Sequence, residues 1–178
     1  MDDAANLGLL ALRTAIGVTM IAHGYNHIWR GGKIAGTAGW FESLGMKPGR
    51  LHAWLASVTE LGAGAMLVLG LVTPLAGGAC AGVMLVAWIT NHRTNGFFIF
   101  RPGEGYEYVM NLFVASLAVA CIGAGEWSLD HAIGVDDWFL ERLGGWSGAL
   151  LGAATGIGGS LLLLAVFWRP VKKEQPAA

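Results

Sequence analysis

Long uninterrupted runs of apolar side chains constrain this chain more than any other feature of its sequence. Five such runs lie at about 6–29, 52–72, 74–91, 106–124 and 147–168. At 1.5 Å of rise per residue, each is long enough as a helix to cross a hydrocarbon core about 30 Å thick. Lipid offers no water to exposed N–H and C=O groups, so such segments close their hydrogen bonds internally as helices. A composition that is 54% hydrophobic and 13% charged fits the same solution. The expected fold class is all-α, a polytopic integral membrane protein.

Length and charge narrow the choice further. A chain of 178 residues has room for one helical bundle and no separate soluble domain. The net charge of −1, with no basic stripe interleaved with aromatics, gives no footprint for nucleic acid. Met1-Asp2-Asp3 is acidic where a secretory signal is basic, and no small-residue cleavage site follows the first run. That run is therefore expected to remain as a helix. No lipidation box is visible.

Charge also sets an expected orientation. With all five runs spanning, Arg30, Lys33, Lys47, Arg50, Arg93, Arg101, Arg169, Lys172 and Lys173 share one side. Arg142 stands alone on the other, and Arg13 lies inside the first run. Positive-inside bias then places the C-terminus in the cytoplasm and the N-terminus outside. Segment 125–146 becomes an external loop with Glu126, Asp130, Asp136, Asp137 and Glu141. Trp29, Trp54, Trp88 and Trp168 fall at the inner boundary, and Trp127 and Trp146 at the outer. Val72-Thr73-Pro74 reads as a tight outer turn, because proline at a helix start loses no needed hydrogen bond. The second and third helices then form an antiparallel hairpin. Gly62, Ala63, Gly64, Gly77, Gly78 and Gly82 are expected to let those two approach closely. Segment 31–51 is expected against the inner interface, and 94–105 as a partly buried aromatic loop.

Ionisable groups inside a membrane are costly, so each needs a reason. Glu60 lies about 12 Å below the inner boundary by helical rise. His23 and His27 share a face of the first helix, Glu107 and Asn111 pair in the same way on the fourth, and Asn91, His92 and Arg93 close the third. Together they make a polar layer in the cytoplasmic half. Three readings stand side by side. The layer is a set of interhelical hydrogen bonds; or it receives the head group of a quinone or lipid; or it holds a metal or haem through His23, His27 or His92. The second reading gives His23 and His27 as donors and Glu60 and Glu107 as proton-exchanging or orienting carboxylates. Arg13 balances buried negative charge there, and Tyr106 or Trp88 lines the way in. Arg13 itself either snorkels outward or pairs with Glu60. For the third, the i, i+4 histidines permit two imidazoles on one metal, but no His-Glu-x-x-His motif occurs and no cysteine is near. No flavin, nicotinamide or iron–sulfur motif is present. Cys80 and Cys121 are isolated in apolar helices, so thiol chemistry would belong to a partner.

Two further patterns carry structural expectations. Ser128 and Asp130 follow the fourth helix as turn-tightening residues, and the Asp130 carboxylate is expected to accept N–H bonds from within 125–135. Gly148, Gly152, Gly156 and Ser160 recur every four residues along the fifth helix, a small-residue ridge suited to close helix contact. Either the chain's own bundle covers that ridge, or another subunit does, including a second copy.

The polar residues fall into a familiar order. It runs from Arg13 with Gly17 and His23-Gly24, through Phe41-Glu42-Ser43-Leu44-Gly45-Met46 and Glu60-Leu61-Gly62-Ala63-Gly64, to His92, Gly96-Phe97-Phe98 and Glu107. It closes with Gly123-Ala124-Gly125-Glu126-Trp127-Ser128-Leu129-Asp130. Over roughly 10–133 the chain resembles the DoxX family of small bacterial membrane proteins. His27 stands where many relatives carry lysine, and the fifth helix lies beyond the usual four-helix unit. The resemblance implies a four-helix DoxX-like bundle over 1–133, then an external acidic loop at 134–146, with an extra helix and basic tail over 147–178. It implies a multi-pass protein of the bacterial plasma membrane. Relatives are linked with thiosulfate oxidation at the quinone pool and with oxidative or thiol stress, beside soluble redox proteins. The function expected on this basis is a membrane subunit of a redox or stress-response system that binds a quinone-like or lipid molecule, at most a quinone-linked oxidoreductase subunit. Its partners would be membrane lipid and a soluble redox protein or larger membrane complex. The alternative is a non-enzymatic assembly or scaffold protein.

Overall fold

Asp2 begins the first helix, α1 (Asp3–Trp29), by accepting the Ala5 N–H at 2.7 Å. This computed structural model describes residues 1–135 and 146–171. Asp136, Asp137, Glu141, Arg142, Lys172 and Lys173 lie outside them. Short α2 (Lys33–Ser43) follows, then α3 (Gly49–Leu69), α4 (Thr73–His92), α5 (Glu107–Ile122), the single turn α6 (Leu129–Ala132) and α7 (Ser147–Phe167). No strand occurs among the described residues. The protein is an all-α polytopic membrane protein. By length and composition, α1, α3, α4 and α7 can each cross a membrane.

The run at 106–124 behaves differently from its expectation. Its helix α5 has 16 residues, about 24 Å of rise, short of a full hydrocarbon core. The chain turns at Tyr106 before it, and Gly123 ends it with φ 91°. Apolar length in a sequence includes such terminal residues; helical length does not. In the loop before α5, Phe97, Phe98 and Ile99 are more than half covered, and Phe100 stands out at 79% exposed. The loop is closed by its backbone, through Gly105 N–H to Phe98 O at 3.1 Å and Glu107 N–H to Phe97 O at 2.9 Å.

Small residues decide which helices touch. Gly17 of α1 and Gly64 of α3 face each other so closely that a Cβ on Gly17 would sit 2.5 Å from the Gly64 carbonyl oxygen. Gly77 faces α5, where a Cβ would meet Ser116 O at 2.7 Å. Gly78 and Gly82 face α7, and Gly62 has no atom within 4 Å of its would-be Cβ. The expectation that these glycines bring α3 against α4 is therefore corrected. They bind α1 to α3, α4 to α5 and α4 to α7.

The ridge on α7 packs inside the chain. A Cβ on Gly148 would lie 2.2 Å from Ala120 O, on Gly152 2.8 Å from Ala120 Cβ, and on Gly156 2.8 Å from Gly78 O. The Ser160 hydroxyl donates to Gly82 O at 3.0 Å. Leu161, Leu162 and Val166 stand exposed on the same helix, as lipid-facing side chains do. A core of Ile16, Met20, Leu67, Cys80, Met84 and Val119 fills the middle of the bundle. At the end carrying Arg30, Lys47 and Arg93, a second cluster joins Phe41, Met46, Ala53 and Leu164. There the α2–α3 connection is strapped to the end of α7. The Trp168 indole donates to Leu44 O, and Arg169 N–H to Gly45 O, both at 2.9 Å.

Candidate functional site

A cavity of about 690 Å³ opens at this basic end of the bundle. Each principal helix contributes a polar wall residue: His23 and His27 from α1, His52 and Glu60 from α3, Asn91 and His92 from α4, Tyr108 from α5. Phe41, Leu55, Val83 and Met84 supply apolar wall between them. The last turn of α4, Trp88–His92, is π-helical, closed by Arg93 N–H to Trp88 O at 2.9 Å. This wider turn is where Asn91 and His92 leave the regular α-helical phase.

His27 and Glu60 meet across α1 and α3, with Nδ1 and Oε2 3.1 Å apart. The separation is that of an ion pair, yet neither atom has an aligned hydrogen bond. The two groups are close but misaligned, so each atom keeps unused hydrogen-bonding capacity. Glu60 is only 3% exposed, so its carboxylate is held out of solvent with capacity to spare. His52 is 2% exposed and its Nε2 also lacks a partner, with its ring between Phe41 and Phe167. His23 Nε2 lies 3.4 Å from the Tyr108 hydroxyl.

His92 is occupied by the protein itself. Its Nε2 accepts from the Asn91 amide at 3.2 Å, which leaves Nδ1 to carry the hydrogen donated to Glu104 O at 2.8 Å. With both nitrogens engaged, the ring fastens the aromatic loop to α4. Among the described residues, no group of three or more His, Cys, Asp or Glu is placed to hold a metal ion.

Several residues expected at this site stand elsewhere. Arg13, 2% exposed, lies at the other end of the bundle and neither snorkels nor pairs with Glu60. Its guanidinium donates to Leu67 O at 2.9 Å, Val68 O at 2.5 Å and Trp127 O at 2.5 Å, capping the carbonyl end of α3. Asp130 is its favourable charged neighbour. That carboxylate accepts from Val72 N–H at 2.6 Å and Thr73 N–H at 2.8 Å, not from residues 125–135 as expected. It caps the start of α4 while its own N–H donates to Gly70 O at 2.8 Å. The Ser128 hydroxyl caps α6 by accepting His131 N–H at 3.2 Å. Nearby Glu126 has its carboxyl held below the usual range by a hydrogen bond from the chain's α-amino group, then by Asn6.

Trp88 and Tyr106 stack on each other at 5.4 Å against the central core, away from the cavity walls. Glu107 and Asn111 are not on the walls of this cavity; they line the hollow between α1 and α5. Sequence reasoning passed over His52 and Tyr108 as site residues. His52 precedes Glu60 on the same helix by eight residues, and that offset was the available signal. Tyr108 had none, since its approach to His23 is tertiary.

Comparison with known proteins matches residues 8–93 to the DoxX family model. No curated protein and no solved structure matches the chain.

Proposed function

We propose that this chain, whose residues 8–93 match the DoxX family model, is a membrane subunit of a redox or stress-response system that binds the head group of a quinone-like amphiphile in the cavity at its basic end. The carrying observation is the His27–Glu60 pair, a half-buried imidazole and a buried carboxylate incompletely bonded on the wall of a hollow of about 690 Å³. Ligand pockets of about 300–1,000 Å³ with apolar walls and a few convergent polar groups suit such molecules. Quinone carbonyls accept hydrogen bonds, and the imidazoles of His23 and His27 and the Tyr108 hydroxyl offer donors. An anionic lipid phosphate would instead face the Glu60 carboxylate, so the neutral ring is the better match.

Quinone reduction to quinol takes two electrons and two protons. His27 and Glu60 would exchange the protons, since an imidazole and a carboxyl group can each carry one and the two stand 3.1 Å apart. The electrons would come from a partner, a soluble redox protein or a larger membrane complex. On this reading the cavity lies in the cytoplasmic half of a bacterial plasma membrane, with the N-terminus outside. Protein purified in mild detergent should carry quinone detectable by mass spectrometry of an organic extract. Glu60→Gln and His27→Ala should lower that content about tenfold with helicity retained. Equal quinone in wild type and both variants overturns the proposal.

One observation favours a second reading, an assembly or scaffold protein without chemistry of its own. Asp130 and His92 are satisfied by backbone or neighbouring side chains, and both terminal nitrogens of Arg13 are bonded to backbone carbonyls, as structural glue would be. Absence of any bound ligand in the wild type would select it.

A further inference from the structure

The hollow between α1 and α5 measures about 470 Å³. Leu12, Ala15, Ile16 and Thr19 line it from α1, and Leu112 and Ala115 from α5. Ile99 and Tyr108 line both this hollow and the head-group cavity, so the two spaces share a sill. From Leu12 to Thr19 the helix rises about 10 Å, leading away from His23 and His27 along the bundle. The groove is therefore a lengthwise extension of the cavity and not a separate dimple.

Its chemistry changes along that length. Besides Tyr108 at the sill, its polar lining residues are Thr19, Glu107 and Asn111, and the last two are bonded to the wall. Glu107 Oε2 accepts Ile99 N–H at 3.3 Å, and the Asn111 amide donates to Glu107 O at 3.0 Å. Beyond them the lining is Leu12, Ala15, Ile16, Leu112 and Ala115. Leu12 and Ala15 are exposed on the outer surface of α1, where lipid chains would stand. An apolar channel that meets a polar chamber at one end and lipid at its side has the polarity of an amphiphile.

We propose that this groove holds the first part of the hydrocarbon tail of the quinone-like ligand, which enters sideways from the bilayer between α1 and α5, past Tyr108. The assignment rests on the head-group reading above. Lateral access lets the tail pass from lipid to protein without meeting water, which straight access from the aqueous face does not. Glu107 and Asn111 are positioning residues that hold the Ile99 side of the sill.

Two probes separate tail from head: a dimethoxy-methyl-benzoquinone without a tail, and the same ring carrying a decyl chain. Binding to the full chain in lipid nanodiscs is measured by calorimetry. The tailed ring should bind wild type more tightly. Ala15→Phe, which fills the groove from an exposed position, should weaken the tailed ring about tenfold and leave the tailless ring within about twofold. Glu60→Gln should weaken both. Ala15→Phe leaving both affinities unchanged, or weakening both rings equally, overturns the groove while the head-group reading stands. Wild type that binds neither ring overturns the head-group reading, and the groove with it. A decyl chain ending in a diazirine gives a readout that needs no variant. Irradiation should label residues within 12–19 or 111–115, and labels confined elsewhere overturn the assignment.

Discussion

Arg13 answers at residue scale how a full charge persists within an apolar helix. Helix α3 ends at Gly70 in the left-handed region, φ 65°, leaving carbonyls without intrahelical donors. The guanidinium meets Leu67 O and Val68 O there and reaches Trp127 O on the segment after α5. Asp130 does the complementary work at the N–H end of α4. The 70–73 turn is thus clamped by a cation on its acceptor side and an anion on its donor side. Arg13→Met should cost about 3 kcal/mol or more, because it strands buried acceptors as well as removing charge-assisted bonds. Asp130→Asn keeps one acceptor and should cost less, about 1–2 kcal/mol. Thermal unfolding in detergent, run as a double-mutant cycle, checks both values and their coupling. Sequence order suggested that Asp130 would serve its own loop. Its true acceptor duty lies 57 and 58 residues away, a tertiary distance that no local pattern encodes.

Glycine patterns carry the corresponding lesson for elements. Gly62 and Gly64 look alike in the sequence, two small residues one helical step apart from Ala63. In the fold a Cβ on Gly64 would stand 2.7 Å from Gly17 O, and one on Gly62 would meet nothing within 4 Å. Gly64→Ala must push α1 away from α3 and should destabilise by about 1–3 kcal/mol. Gly62→Ala should be neutral or stabilise by up to about 1 kcal/mol, through helix propensity alone. Paired melting curves decide it; equal losses for the two variants would contradict the packing described. Hydropathy and helical period make the apolar runs and the His27–Glu60 level legible, because those signals are local or additive. The identity of each helix's neighbour is not, since a small face says that something approaches closely without saying what. The glycines of α4 are thus compatible in sequence with a contact to α3, while in the fold they face α5 and α7. The ridge on α7 was legible as a ridge, and only the assembled bundle shows α4 and α5 filling it.

At the scale of the whole molecule, the two ends of the bundle are built for different tasks. The end around Arg13 and Asp130 is closed by bonds from backbone to charged side chains. The end around His27 and Glu60 encloses a hollow and is closed by a strap as well as by the loop that His92 fastens. That strap joins the finish of α7 to the α2–α3 connection through the Trp168 indole on Leu44 O and the Arg169 N–H on Gly45 O. Arg93 sits over the Trp168 ring at 5.2 Å, tying α4 to the same point. Trp168→Ala removes the indole donor and the ring together while leaving the cavity-lining polar residues in place. Each bond of this kind stabilises by about 1 kcal/mol, which its loss removes, and about 1.4 kcal/mol of local opening is tenfold in exchange rate. Amide hydrogen exchange across 41–47 should therefore speed up about tenfold in Trp168→Ala, with protection at 66–73 unchanged. Faster exchange at both ends would mean that the bundle opens as one unit. Unchanged exchange at 41–47 would mean that Phe41 and Met46, buried at 7% and 1% exposure, hold the connection without the strap.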